Sequence, residues 1–105
     1  MDAQLKRGLL EVCVLTAIKQ EDSYGYKIIK DISDYVEISE STLYPILKRL
    51  ENSGCITVYT VEHNSRLRKY YSITNTGKGR IYDFLEEWKS VMKAYDFIKG
   101  ECENE

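Results

Sequence analysis

Ser39, Ser41, Thr42 and Tyr44 set four hydroxyl groups within six residues, and Lys48 and Arg49 follow on the same segment, SESTLYPILKRLENSG (39–54). A helix that only faces water fills its outer positions with Glu, Lys, Gln and Ala, the strong helix formers. Hydroxyls in front and cations behind suit a polar, anionic surface instead. Small hydroxyls can reach base edges and phosphates, and long basic side chains can grip a sugar-phosphate backbone. The plainer alternative is that Ser39 and Ser41 only cap a helix and that the charges form a solvated face. A second cationic group, Arg66, Arg68 and Lys69, lies at the end of the polar stretch HNSRL (63–67).

Covalent and metal chemistry have no comparable set. His63 is the one histidine, so no Ser-His-Asp arrangement is suggested. Gly77 and Gly79 in TGKGR lack the spacing of a phosphate-binding loop and its Gly-Lys-Ser/Thr ending. Cys13, Cys55 and Cys102 are odd in number and unrelated in spacing, which argues against structural zinc. No catalytic residue, metal ligand or cofactor is therefore expected. Cys13 and Cys55 lie among apolar residues and read as small buried hydrophobes; Cys102, in the polar tail, reads as an exposed thiol.

The scaffold that would hold the hydroxyls and cations can be read from periodicity. Residues 5–19 (LKRGLLEVCVLTAIK) are apolar on most sides from Leu9 to Ile18, which predicts a central helix, or one shared with another chain. QEDS ends it, and Asp22 or Ser23 is placed to cap a second helix over 24–33. Its expected buried stripe is Tyr26, Ile29 and Ile32. DYVEI (34–38) is a connector with Val36 and Ile38 extended. In the third helix Ser39 is the expected N-cap, with Glu40 well placed against the helix dipole. Leu43, Ile46, Leu47 and Leu50 recur at i, i+3, i+4, i+7, the strongest helical signal in the chain. Gly54 is its stop, and Pro45 bends its start.

Residues 56–62 and 68–74 alternate with period two and are rich in β-branched and aromatic side chains, so they predict a hairpin around HNSRL. Tyr71, Ile73 and Lys69 should share the inner face, with Arg68 and Tyr70 opposite. Thr74 or Thr76 should cap a last helix running to about Lys99. There Ile81, Leu85, Trp88, Met92 and Tyr95 alternate steps of four and three, with Phe84, Val91 and Ile98 every seven. Such a stripe is wide enough to pack on its own domain and on a partner helix. The tail GECENE is expected to fray.

A chain of 105 residues with 43% hydrophobic and 30% charged residues fits one compact domain. No apolar run approaches a membrane span and no signal pattern opens the sequence, so a cytoplasmic location with no membrane partner is expected. The net charge of −2 conceals its distribution. Residues 1–38 hold 5 Lys/Arg against 7 Asp/Glu, residues 39–80 hold 7 against 3, and residues 81–105 hold 3 against 7. Screening makes the local patch decide attraction to phosphates, and the middle patch is basic.

Helix, helix, helix, hairpin, helix is the order of a winged helix-turn-helix with an added long C-terminal helix: a mainly α fold with one small β-hairpin. We divide it as a winged helix-turn-helix over 1–76 and a dimerisation helix with acidic tail over 77–105, forming one compact unit. In such modules the third helix enters the major groove and the hairpin straddles the adjacent minor groove or phosphates. A winged helix that binds protein instead of DNA is the alternative, and it would need no cationic wing.

The segments DSYGYKIIKDI, STLYPILKRLENSGCI and RKYYSITNTGKG resemble the signature segments of the PadR family of bacterial transcriptional regulators, over residues 5 to 99. The likeness is to the short subgroup with a single C-terminal dimerisation helix. It implies a homodimeric repressor on double-stranded DNA at a pseudo-palindromic operator. Tyr24 to Tyr26 match the family's second helix, so the resemblance adds Tyr24 and Lys27 to the DNA-contacting residues. It also implies a dimer interface, for which Leu5, Leu9, Ile81, Leu85, Trp88, Met92 and Tyr95 are the candidates. Some similar regulators enclose a hydrophobic channel for drug-like or phenolic effectors between the two subunits. Trp88 looks like the aromatic of that channel, with Ile81, Phe84 and Met92 beside it and Val12 and Thr16 facing it. The same indole also fits plain packing on a dimerising stripe.

Overall fold

The computed structural model describes residues 2–104; Met1 and Glu105, the ends of the two expected segments, lie outside them. Four helices and one hairpin follow in the order α1 (Ala3–Lys19), α2 (Gly25–Ile32), α3 (Glu40–Asn52), β1 (Ile56–His63), β2 (Arg66–Ile73) and α4 (Asn75–Glu103). The chain is a winged helix-turn-helix with a long C-terminal helix, as its periodicity predicts. α1 is the centre of the core, and its Val14, Leu15 and Ile18 are fully buried. Leu43, Ile46, Leu47 and Leu50 of α3 pack against it with Ile28 and Ile32 of α2. That hydrophobic burial, not helix propensity, fixes the angle at which α3 leaves the body.

Several local expectations change. The buried stripe of α2 is Gly25, Ile28 and Ile32, while Tyr26 is 68% exposed. A glycine gives no hydrophobic signal, so periodicity alone points to Tyr26 in its place. Neither Asp22 nor Ser23 caps α2. Its N-cap residue is Tyr24, with no side-chain cap, and Ser23 is used elsewhere. Its N–H donates to the Tyr71 carbonyl at 3.1 Å and its carbonyl accepts from Tyr71 at 2.8 Å, docking the hairpin on the α1–α2 connection.

The hairpin turn is tighter than the five residues HNSRL. Asn64 and Ser65 alone form the loop, with φ of 51° and 65°. Two successive left-handed residues make a type I′ turn, whose twist matches the strands. β2 therefore begins at Arg66, and the pairing Val61↔Arg68, Tyr59↔Tyr70 and Ile56↔Ile73 sets Arg66, Arg68 and Tyr70 on one face. Lys69, Tyr71 and Ile73 lie on the other, as the alternation requires.

Gly54 ends α3 in the left-handed region (φ 76°), with Cys55 N–H returning to the Leu50 carbonyl at 2.9 Å. Thr74 caps α4: its hydroxyl accepts from Gly77 N–H at 3.1 Å and donates to the Gly54 carbonyl at 2.6 Å. The end of α3 and the start of α4 are thus joined. Gly77 and Ile81 are buried, so one core continues across the 76/77 boundary. Where fraying is expected, α4 stays helical to Glu103. No helix among the described residues is long and apolar enough to cross a membrane.

Candidate nucleic-acid interface

α3 presents its core residues inward and the ridge Ser41, Pro45, Lys48, Asn52 outward, all four exposed. Ser39 is the N-cap, and its hydroxyl accepts from Thr42 N–H at 3.3 Å. The same oxygen lies 3.0 Å from the Ser41 hydroxyl and 3.2 Å from that of Thr42. Capping therefore explains Ser39, yet all three hydroxyls remain open to a ligand. Pro45 has no N–H for the Ser41 carbonyl, which leaves that acceptor free at the exposed front of the helix.

Tyr44 leans from α3 toward the start of α2. A Cβ built on Gly25 would stand 2.6 Å from the Tyr44 hydroxyl oxygen, so only glycine leaves room for the ring as it lies. Sequence periodicity missed Gly25, whose importance comes from a contact 19 positions away. Tyr24, Tyr44, Arg66, Arg68 and Lys69 together line one open cleft between α2, α3 and the wing. Of the predicted groups, Tyr44 of α3 and the three wing cations meet there; Ser39, Ser41, Thr42, Lys48 and Arg49 do not line it.

The wing is held by an aromatic column. The Arg68 guanidinium sits 4.1 Å from the centre of the Tyr24 ring. Tyr70 meets Tyr24 edge-on at 5.4 Å and stacks on Tyr59 at 5.7 Å. The Tyr59 hydroxyl donates to Asp22 at 2.6 Å, and that bond holds the phenol's pKa above its ordinary value. The sequence marks Asp22 only as a possible cap and Tyr70 only as an outward strand residue, and gives Tyr59 no role; the strand register brings the three together.

Two expected contacts are engaged within the protein. Lys27 bonds Asp31 at 2.8 Å and pairs with Glu21 at 3.5 Å, and these carboxylates, Asp31 first, hold its pKa up. It adds no net charge to the cleft. Arg49 turns to the other flank of α3, where its Nε donates to Glu11 at 3.2 Å. Lys48 remains 72% exposed, with only a 3.9 Å pair to Glu51.

Of the expected interface residues, Ile81 is 6% exposed and belongs to the chain's own core. Leu5, Leu85, Met92 and Tyr95 are exposed, and Val91, Phe97 and Ile98 join them. Leu9 and Trp88 are half-buried. Around the expected channel, Val12 is buried and accepts at its carbonyl from the Thr16 hydroxyl at 2.7 Å. Phe84 packs on Trp88 with ring centres 5.5 Å apart.

A helical core, an exposed third helix and a cationic hairpin beside it define a winged helix-turn-helix module. The profile of the transcriptional regulator PadR-like family matches residues 14–87, and the chain belongs to that family. It is 36% identical over 100 residues to an uncharacterized protein of Lysinibacillus sphaericus, covering 90% of this chain and 92% of that one. The crystal structure of a Streptococcus mutans UA159 protein superposes with a TM-score of 0.79 at 40% identity, covering 90% and 89% of the two chains. The negative transcriptional regulator PadR of Bacillus subtilis is 28% identical over 82 residues, covering 73% of this chain but 45% of its own length. Its structure in complex with operator DNA superposes with a TM-score of 0.67 at 27% identity, covering 73% of this chain and 46% of that one. The family is one of transcriptional regulators, not of enzymes.

Proposed function

We propose that this regulator is a homodimeric repressor that binds double-stranded DNA at a pseudo-palindromic operator. The observation that carries the reading is the cleft where Tyr24 and Tyr44 meet Arg66, Arg68 and Lys69. In this reading α3 lies in the major groove. Ser41, Thr42 and Tyr44 reach base edges, Ser39 and Lys48 hold the backbone, and the wing grips adjacent phosphates. The similar B. subtilis regulator, crystallised with operator DNA, supports the DNA partner; its description as a negative regulator supports repression.

The exposed apolar side of α4, where Leu85, Met92 and Tyr95 stand about half in water, supports dimerisation. A stripe of that kind marks an interface, and a two-fold pair would set two reading helices about 34 Å apart, one turn of DNA. At Trp88 we favour packing over release by a planar effector. Phe84 already lies against the indole and takes part of the face such a ligand would use.

The test is a duplex titration across salt concentrations. Replacing Arg66 and Arg68 by Ala should weaken all duplexes alike and flatten the log K against log salt slope by about one to two units for each protomer of the dimer. A winged helix that binds protein would show no salt-dependent duplex affinity at all, and an unchanged slope would remove the wing from the mechanism.

A further inference from the structure

Glu11 gathers three arginines from three helices. Its carboxylate meets Arg49 of α3 at 3.2 Å, Arg80 of α4 at 3.3 Å and Arg7 of α1 at 3.7 Å. We infer that Arg7, Arg49 and Arg80, held around Glu11, form a second seat for the DNA phosphate backbone, on the flank of α3 away from the wing. The inference rests on the DNA-binding reading above and extends it to a surface that reading leaves unused.

Charge is the first reason. One carboxylate faces three guanidinium groups, so the cluster is cationic by two charges. Among the described residues no other carboxylate lies within ion-pair distance of these arginines. Pairing with Glu11 leaves two positive charges over on part-exposed guanidinium groups, which an outside anion can meet.

Donor capacity is the second. Each guanidinium carries five N–H donors in a planar fork. Arg49 and Arg7 approach Glu11 through Nε and Arg80 through Nη1 alone. The remaining donors border an open polar recess, whose rim adds the amides of Gln4 and Asn52. Glu11 itself is 14% exposed and sits behind them. A carboxylate at the back pre-sets the guanidinium planes, and such forks match phosphate oxygens.

Position is the third. α3 has two flanks. On one, Tyr44, Lys48 and Glu51 share a cleft with Val58, Lys69 and Tyr71 of the hairpin. On the other, Arg49 and Asn52 share a recess with Arg7, Glu11 and Arg80. The ridge between them carries Ser41, Lys48 and Asn52. A helix with its side chains is about 10–12 Å across and the major groove about 12 Å wide, so a helix in the groove has a phosphate wall on each side. The wing meets one wall, and the Glu11 cluster faces the other.

The experiment uses the full-length chain as wild type, the Arg66→Ala/Arg68→Ala variant and an Arg7→Gln/Arg80→Gln variant. Each is titrated with an operator and with an unrelated duplex across salt, and sedimentation follows the dimer. The arginine-cluster variant should lose affinity for both duplexes by the same factor and flatten the salt slope by about one to two units for each protomer of the dimer. Arg7→Gln alone, on an exposed side chain near the start of α1, should give about half that change and keeps the test open if the double variant folds poorly. An unchanged slope with intact wing dependence overturns the second seat and leaves the DNA-binding reading standing. A loss confined to the operator, or one explained by dissociation of the dimer, also overturns it. Absence of any salt-dependent duplex binding by the wild type sinks the DNA-binding reading itself.

Discussion

Gly25→Ala is a substitution that should damage DNA reading while leaving the fold alone. The new Cβ would stand 2.6 Å from the Tyr44 hydroxyl oxygen and 3.2 Å from the ring carbon that bears it, against an ordinary contact of 3.4 Å or more. The hydroxyl must therefore retreat by about 0.8 Å. Tyr44 is 48% exposed, so its ring can swing away without opening the core. Gly25 is not among the residues at positive φ. Alanine there restricts the unfolded chain and contributes about 0.4–1 kcal/mol of stability, which offsets much of the contact strain. The melting temperature should stay within about 5 °C of wild type. Operator affinity should fall by the worth of one or two hydrogen bonds, about 1–2 kcal/mol, or roughly 5- to 30-fold. Titration of operator duplex in four backgrounds decides it: wild type, Gly25→Ala, Tyr44→Phe and both together. Removing the Tyr44 hydroxyl removes the closest collision, so Gly25→Ala should cost less than half as much in the Tyr44→Phe background. Equal losses in both backgrounds, or a large drop in melting temperature, would refute this coupling of Gly25 to Tyr44.

Gly77→Ala should behave in the opposite way. Its Cβ would fall 2.3 Å from the Cys55 carbonyl oxygen, a backbone atom that cannot swing aside. Chemical denaturation should show a loss of about 3 kcal/mol, and a wild-type midpoint would contradict the packing of α4 on the end of α3. Leu85→Lys with Met92→Lys places charge in the exposed α4 stripe. Sedimentation should show a folded monomer at tens of micromolar, roughly the range where a stable interface persists, and an intact dimer would move the interface elsewhere. For Trp88, a panel of planar phenolic and cationic aromatics should leave its fluorescence unchanged. Quenching at micromolar ligand with a matching fall in operator affinity would establish an effector site there instead.

Regular apolar repetition made most of the fold legible. Leu43, Ile46, Leu47 and Leu50 mark α3 by their spacing, and Gly54 and Thr74 fill cap positions that few other residues suit. Contacts between distant residues left no such mark. Nothing around Gly25 points to Tyr44, and nothing around Glu11 points to Arg49 or Arg80. Arg49 therefore looked like a partner of Lys48 on one surface, although the two face different flanks of α3. Asn64 and Ser65 carry a two-residue turn without the glycine that usually announces it, and so the loop looked longer. Ile81 matched the dimer stripe by spacing, but its depth depends on how the first turns of α4 meet α1. The hydroxyls and cations were visible as residue types; that Tyr44 and the wing cations Arg66, Arg68 and Lys69 share one cleft needed the register of β2 against β1.

Sequence-specific, two-fold DNA binding is tested most directly by selection from random duplexes. Purified full-length protein would be incubated with a pool of random double-stranded DNA, and bound molecules recovered and sequenced over successive rounds. The account predicts enrichment of one imperfect palindrome, its half-site centres about 10–10.5 base pairs or a whole multiple apart, one helical turn per step. A pool that stays random through every round, or an enriched motif with no two-fold symmetry, would contradict it.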